Sequence, residues 1–480
     1  METPAAKRNK SVSITNIDLT MNRNAIGNYR WTICGLLFFA TTINYLDRQV
    51  LSLLAPSLSK EFGWSNTDYA NIAAAFQFIY AVALLFAGRV VDRIGTKRAY
   101  HLAILIWSLG AIAHAYSITL GNAVNSVFAM VGLAAVPASV AGFMVARTIL
   151  AIGEAGNFPT AIKATAEYFP KTERSFATGI FNSGANIGAI LAPISVPVIA
   201  SIWGWEAAFM WIGAIGFLWM AFWAIFYEEP GTGRRLGKAE LAYINAGAET
   251  PDSCVEANTR KASWAELLRC RQTWAFTFGK FMTDGIWWFF LFWLPKYLSA
   301  SYGMSSTDLS LPLTVLYSMT MVGSIGGGWL PKYFIARGRS VYDARMKSML
   351  LIAFCPLVVL LAQPLGHLGY WIPVILIGFG ASAHQAWSAN LFTTASDWFP
   401  KNAVGSVVGI GGMAGGIGGV LVTKLGGALF DHYGALGQIQ TGYMIMFAIC
   451  ATAYLLAWGV MKLLVPVHKM AELPRELQNA

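Results

Sequence analysis

Charge is what this sequence is short of. Only 12% of its 480 residues are Asp, Glu, Lys or Arg, about half the share of an ordinary globular chain. With 56% hydrophobic residues and a mean hydropathy of +0.52, that shortage excludes an ordinary soluble domain. Cysteine is scarce too. The five present show neither paired nor metal-ligand spacing, so a disulfide framework and a metal site are not expected, and the cysteines are expected to be packing residues. There is no nucleophile beside a base and no soluble catalytic domain, which argues against an enzyme, and no cofactor is expected. The first 29 residues lack the apolar core of a cleavable signal, so the first apolar segment is expected to direct insertion.

What the sequence has instead is long apolar runs that do not alternate. About 20 apolar residues in a helix cross a bilayer's hydrocarbon core, and only helices or closed barrels satisfy their own backbone there. The absence of alternation selects helices. Twelve spans are expected, near residues 31–56, 69–90, 99–118, 139–165, 174–200, 207–227, 273–298, 310–331, 348–366, 370–394, 403–425 and 440–464. The fold class is therefore all-α integral membrane. The apolar stretch 124–136 is too short to span and reads as an extension or an interfacial helix.

Lysine and arginine gather in the N-terminal tail and after spans two, six and eight, while alternate loops are nearly free of them. Both termini are then expected to be cytoplasmic. The net charge of +10 is accounted for by these loops, and no binding motif accompanies them, so no nucleic-acid partner is expected. The expected organisation is a tail (1–30), a six-helix half (31–227), a cytoplasmic linker (228–272), a second half (273–464) and a C-terminal tail (465–480). Within the linker, 238–248 reads as a surface helix, and Ser263 with Glu266 as a capping box.

The halves repeat each other. FGWSNTD at 62–68 matches YGMSSTD at 302–308, and YFPKTERSFATGIFNSGANIG from Tyr168 matches WFPKNAVGSVVGIGGMAGGIG from Trp398. Parallel repeats of six-helix halves point to a transporter whose site lies between the halves near the bilayer midplane. GIGGMAGGIGG at 409–419 lacks the strand, lysine and hydroxyl of a phosphate loop; it reads as small residues that let helices pack closely.

GRVVDRIGTKR at 88–98 resembles the loop signature of the major facilitator superfamily, with a weaker counterpart, GGGWLPKYFIARGR, from Gly326. The resemblance implies two pseudo-symmetric six-helix halves and a conformational latch formed by Gly88, Asp92, Arg93, Gly95 and Arg98. NYLDRQ at 44–49, RTILAIGEAGNFPTAIKATAEYFPK from Arg147 and AHQAWSANLFTTASDWFPK from Ala383 are similar to the anion:cation symporter group, most of all to hexuronate transporters. These import glucuronate and galacturonate with protons. The resemblance implies a carboxylate sugar acid as substrate, a co-transported proton, a bacterial inner membrane and a monomer.

Ionisable residues inside spans are functional candidates because a charge at the bilayer centre costs about 2.5–3.5 kcal/mol. In the first half they are Asp47, Arg48, Arg147 and Glu154. Arg147 and Glu154 lie two turns apart on one helix face, whereas Asp47 and Arg48 point about 100° apart and need separate partners. By resemblance, Asp47 and Glu154 serve proton coupling, and Arg48 and Arg147 the substrate's charge. The plainer alternative is a structural pair, Asp47 with Arg147 or Arg48 with Glu154.

Tyr45, Tyr80 and Asn186 join them as polar candidates for a sugar site, as do His384, Gln385, Trp387 and Ser388 in span ten. Trp387 and Tyr80 also suit ordinary packing. His384 holds the repeat position of Glu154 and reads as a hydrogen-bonded histidine at a helix contact or as a proton relay. Asp284, with Trp287 and Trp288, can line or gate the cavity. Three function classes follow: a proton-coupled hexuronate importer; the same fold with another cargo or coupling, an aldonate such as galactonate, another organic anion or a sodium-driven cycle; and a membrane enzyme or sensor.

Overall fold

The computed structural model describes residues 27–231, 235–245, 263–399 and 401–471, and among them it is all-α with no strand. The expected spans appear in order as α1 (Tyr29–Phe62), α2 (Asn66–Ile94), α3 (Thr96–Ala113) running on through a 3-10 turn into α4 (Ser117–Met130), and α5 (Ala138–Glu154) with α6 (Asn157–Tyr168). The first half ends with α7 (Lys171–Trp203) and α8 (Trp205–Phe226). The second half holds α11 (Arg271–Tyr302), α12 (Ser310–Ile335), α13 (Val341–Phe354) with a 3-10 extension to Leu361, α14 (Trp371–Trp398), α15 (Lys401–Ala435) and α16 (Ile439–Leu464). Between them lie α9 (Lys238–Asn245) and α10 (Trp264–Leu268). The stretch 124–136 resolves as the end of span three: α4 carries that helix to Met130.

Eight of these spans are long and apolar enough to cross a membrane by length and composition alone. The other four are α1, α11, α12 and α14. Three of them carry the buried ionisable residues Asp47, Arg48, Lys280 and His384. Hydropathy is weakest where helices bury polar groups against protein rather than lipid.

The repeat is visible as geometry. Gly63 and Gly303 end α1 and α11 with the same left-handed φ of +66°, a conformation glycine adopts without a Cβ clash. Each is followed by a Ser/Asp box: Ser65 with Asp68, and Ser305 with Asp308. The Ser305 bonds hold the exposed Asp308 carboxyl below its usual range. Phe169 and Phe399 leave their helices in matching extended conformations, with φ of −124° and −127°. Helix partners match too: α1 lies along α7 as α11 lies along α15, and α2 along α5 as α12 along α14.

The linker is tied to the first span. The α9 carboxylate of Glu240 accepts from the backbone N–H groups of Tyr29 and Arg30 at 3.1 and 3.0 Å, which caps the positive end of α1. Of the expected 238–248 helix, residues 246–248 lie outside those described. The Ser263–Glu266 capping box is present in both directions.

The halves meet at one end. Asp431, near the end of α15, accepts from the backbone N–H groups of Asn66 and Thr67 at 2.7 Å each and so caps α2 across the interface. Lys296 donates to Asn66 at 3.1 Å, Gln77 to Thr423 at 2.9 Å, and Ser57 meets Ser306 at 2.9 Å. Contact between α2 and α15 reaches Leu84 and Gly412, but open space surrounds Gly88, Gly405 and Gly409. The two helices therefore diverge toward the end that bears the basic loops.

Removing the Asp431 cap weakens the closed end, since hydrogen bonds to a charged group contribute about 1.5–3 kcal/mol each. Asp431→Ala is expected to lengthen the distance between spin labels placed at positions 57 and 306, read by double electron–electron resonance.

Candidate functional site

Span one holds the centre of the molecule's polar core. Arg48 is 3% exposed and reaches across to α5, donating from Nε and Nη2 to Glu154 Oε2 at 2.9 and 2.7 Å. Its guanidinium is ringed by aromatic faces: Tyr45 at 4.8 Å, Tyr80 at 4.9 Å, and Phe76 and Trp288 at 5.2 Å. Cation–π attraction of this kind, about 2 kcal/mol per face once desolvated, holds the cation without neutralising it. Trp288 belongs to the other half, so the cage spans both.

Arg147 lies two turns before Glu154 on α5 and is 1% exposed. It donates to the Arg48 carbonyl at 3.3 and 3.4 Å, and its Nε has no partner. Of the two structural pairs weighed from sequence, Arg48–Glu154 forms. Asp47–Arg147 does not form a hydrogen bond: both Asp47 carboxyl oxygens are buried without a partner, and Glu154 Oε1 is likewise unpartnered. Asp47 remains within electrostatic reach of Glu154 and Arg147. An ionised carboxylate left so would cost several kcal/mol, whereas a proton on it removes the charge.

The second-half candidates sit on α14. His384 Nδ1 lies 2.9 Å from Tyr454 Oη, and its ring stacks on Trp287 with centroids 5.2 Å apart. Trp387 is wholly buried, edge-on to Tyr454 at 5.6 Å, with its indole N–H unpartnered. Gln385 and Ser388 are half-buried on the same helix, and Asn186 is half-buried on α7. Phe76 and Lys280 are neighbours that sequence reasoning passed over. The i,i+4 spacing of Phe76 with Tyr80, and of Lys280 with Asp284, was the available signal.

The residues expected to form a latch lie at the parted end. Open space surrounds Gly88, Gly95 takes a φ of +81°, and Arg93 and Arg98 are exposed. The Asp92 side chain lies outside the described residues. Among the described residues no group of three or more His, Cys, Asp and Glu could hold a metal ion.

The sequence profile of the Major Facilitator Superfamily matches residues 37–395. The chain is 30% identical to a hexuronate transporter of Escherichia coli strain K12 over 95% of this chain and 98% of that one. It is also 30% identical to a galacturonate transporter of Dickeya chrysanthemi, over 64% of this chain and 83% of that one. In three dimensions it is similar to a bacterial homologue of the human lysosomal transporter Spinster in an inward-facing, occupied conformation. That likeness has a TM-score of 0.69 at 18% identity and covers 91% of this chain and 97% of the other.

Breaking a buried pair by removing one partner costs about 3–5 kcal/mol, because the other charge is left uncompensated. Arg48→Met is expected to lower the unfolding midpoint in detergent well below the parent's. The double variant Arg48→Met with Glu154→Gln recovers most of that loss.

Proposed function

The chain belongs to the Major Facilitator Superfamily, and from that premise we propose that it is a secondary active transporter importing a sugar-acid anion, a hexuronate such as glucuronate or galacturonate, by proton symport with alternating access. The observation that carries the reading is the Arg48 cluster: a buried guanidinium in an aromatic cage that joins both halves, with an unpartnered carboxyl beside it. The names of the two relatives support the substrate class.

Charge balance supplies the coupling. Asp47 and Glu154 against Arg48 and Arg147 sum to zero when all are ionised. A proton on Asp47 leaves one net positive charge, which a single carboxylate balances on binding. Among the described residues Arg48 Nη1 has no protein partner, so a carboxylate can dock there and compete with Glu154 for the guanidinium. Proton and anion then favour each other's binding, as linkage requires.

The site is buried at mid-span, and the halves part toward the basic loops, which fits release on that side. In this reading both termini are cytoplasmic, the membrane is a bacterial inner membrane, and the protein acts as a monomer. The two six-helix halves rock about the site with 228–272 as linker. Gly88, Asp92, Arg93, Gly95 and Arg98 fasten the parted end when the opposite mouth opens. Tyr45, Tyr80, Asn186, His384, Gln385 and Ser388 line the path of the sugar, with Trp387 enclosed against Tyr454 in this conformation.

Proteoliposomes with an inward proton gradient and no sodium are expected to accumulate labelled glucuronate or galacturonate, and a protonophore abolishes the accumulation. Uptake weakens as the outer pH rises, because Asp47 then gives up the proton that leaves the cluster positive. Asp47→Asn is expected to keep substrate exchange while losing gradient-driven accumulation. No uptake of either acid by folded protein overturns the hexuronate reading, and accumulation that follows sodium at fixed pH overturns proton coupling.

A further inference from the structure

A second buried ion pair faces the first from the other half, and the Arg48 mechanism does not use it. On α11, Lys280 Nζ lies 2.6 Å from Asp284 Oδ2, with side chains 7% and 18% exposed. The ion pair itself joins residues of one helix, unlike Arg48–Glu154, although Lys280 Nζ also sits 4.4 Å over the Phe392 ring of α14. Its stabilising value is correspondingly small, since an i,i+4 pair contributes about 0.2–0.5 kcal/mol and burial of both charges opposes it.

Its position is that of a site wall. Trp288, which touches the Arg48 guanidinium at 5.2 Å, is one turn beyond Asp284. Asp284 is within electrostatic reach of Tyr45 on the opposite half and of Tyr454. Where α15 passes the pair it presents glycine: a side chain at Gly415 would meet Asp284 Oδ2 at 2.3 Å. Glu154 is fully buried, whereas Asp284 keeps open surface.

The chemistry suits hydroxyls better than a second anion. The pair is neutral as a whole, so it adds nothing to the attraction for a carboxylate. It offers spare ammonium donors and a spare carboxylate oxygen side by side, and vicinal sugar hydroxyls each donate and accept. Trp287 and Trp288, three and four residues beyond Asp284, tie this part of α11 to His384 and to Arg48.

We propose that Lys280 and Asp284 form the sugar-hydroxyl subsite of this transporter: the pair binds adjacent hydroxyls of the hexuronate whose carboxylate is held at Arg48, and it discriminates between epimers. This rests on the hexuronate reading above.

The test replaces both charges at once, Lys280→Met with Asp284→Asn, so that no buried charge is left alone. Uptake of glucuronate and galacturonate is measured in proteoliposomes, together with inhibition by cyclohexanecarboxylate, which has the ring and carboxylate but no hydroxyls. The expected result is a KM for the hexuronates raised roughly tenfold to hundredfold, the loss of about one hydrogen bond to a charged group. The cyclohexanecarboxylate inhibition constant stays as in the parent. An unchanged hexuronate KM, or equal weakening toward both compounds, overturns the subsite. Should the double variant fail to fold, Asp284→Glu keeps the pair and moves the carboxylate by one methylene; it is expected to change the ratio of the two hexuronate KM values, and an unchanged ratio overturns the proposal. Parent protein that takes up neither hexuronate overturns the hexuronate reading and the subsite with it, whereas normal parent uptake with unaltered variants overturns the subsite alone.

Discussion

A guanidinium and a carboxylate 2.7 Å apart, both wholly within the protein, set the terms for the rest of the molecule. Such a pair is a weak source of stability, because desolvation offsets most of the attraction, but it is costly to break from one side. In the proposed cycle an incoming carboxylate competes with Glu154 for Arg48, and a proton on Asp47 keeps the cluster from turning negative as it does so. That charge balance is what would link the anion to a proton.

In the proposed cycle the surrounding architecture serves this exchange. Four aromatic rings hold Arg48 in place without supplying a counter-charge, and one of them comes from the far half. The site is thus assembled only when the halves approach. Closure at one end depends on directional polar contacts such as Asp431 on the first turn of α2, while the opposite end is free to part. Polar contacts suit a mouth that must reopen, since exposed hydrogen bonds exchange with water at small net cost.

The fold was largely legible in the sequence because lipid imposes a length and a composition on every span, and because glycine, serine and aspartate mark both halves at equivalent corners. The apolar stretch 124–136 resisted that reading: a helix that outruns the bilayer looks like a separate short segment when only hydropathy is read. The four charged residues of the first half stood out for the same reason the spans did, as exceptions to apolar surroundings. Which of the two possible pairings forms did not. Helical spacing places Asp47 and Arg48 on different faces but says nothing of which helix each face meets. Asp284, Trp287 and Trp288 were legible as a lining or gate, but Phe76 and Lys280 stayed unremarked because aromatic residues and i,i+4 pairs are common where nothing is bound. Trp387 shows the converse, a residue suited by type to a sugar whose ring is enclosed against Tyr454 in this conformation.

The central claim is that anion binding requires a proton on the Asp47–Arg48–Arg147–Glu154 cluster. Its most direct test is the proton balance of binding by purified protein in weakly buffered solution, followed with a pH indicator as glucuronate is added above the pH at which Asp47 ionises. The account predicts net uptake of one proton per glucuronate bound, absent in Asp47→Asn. Saturable binding with no change in bound protons across the same pH range would contradict it.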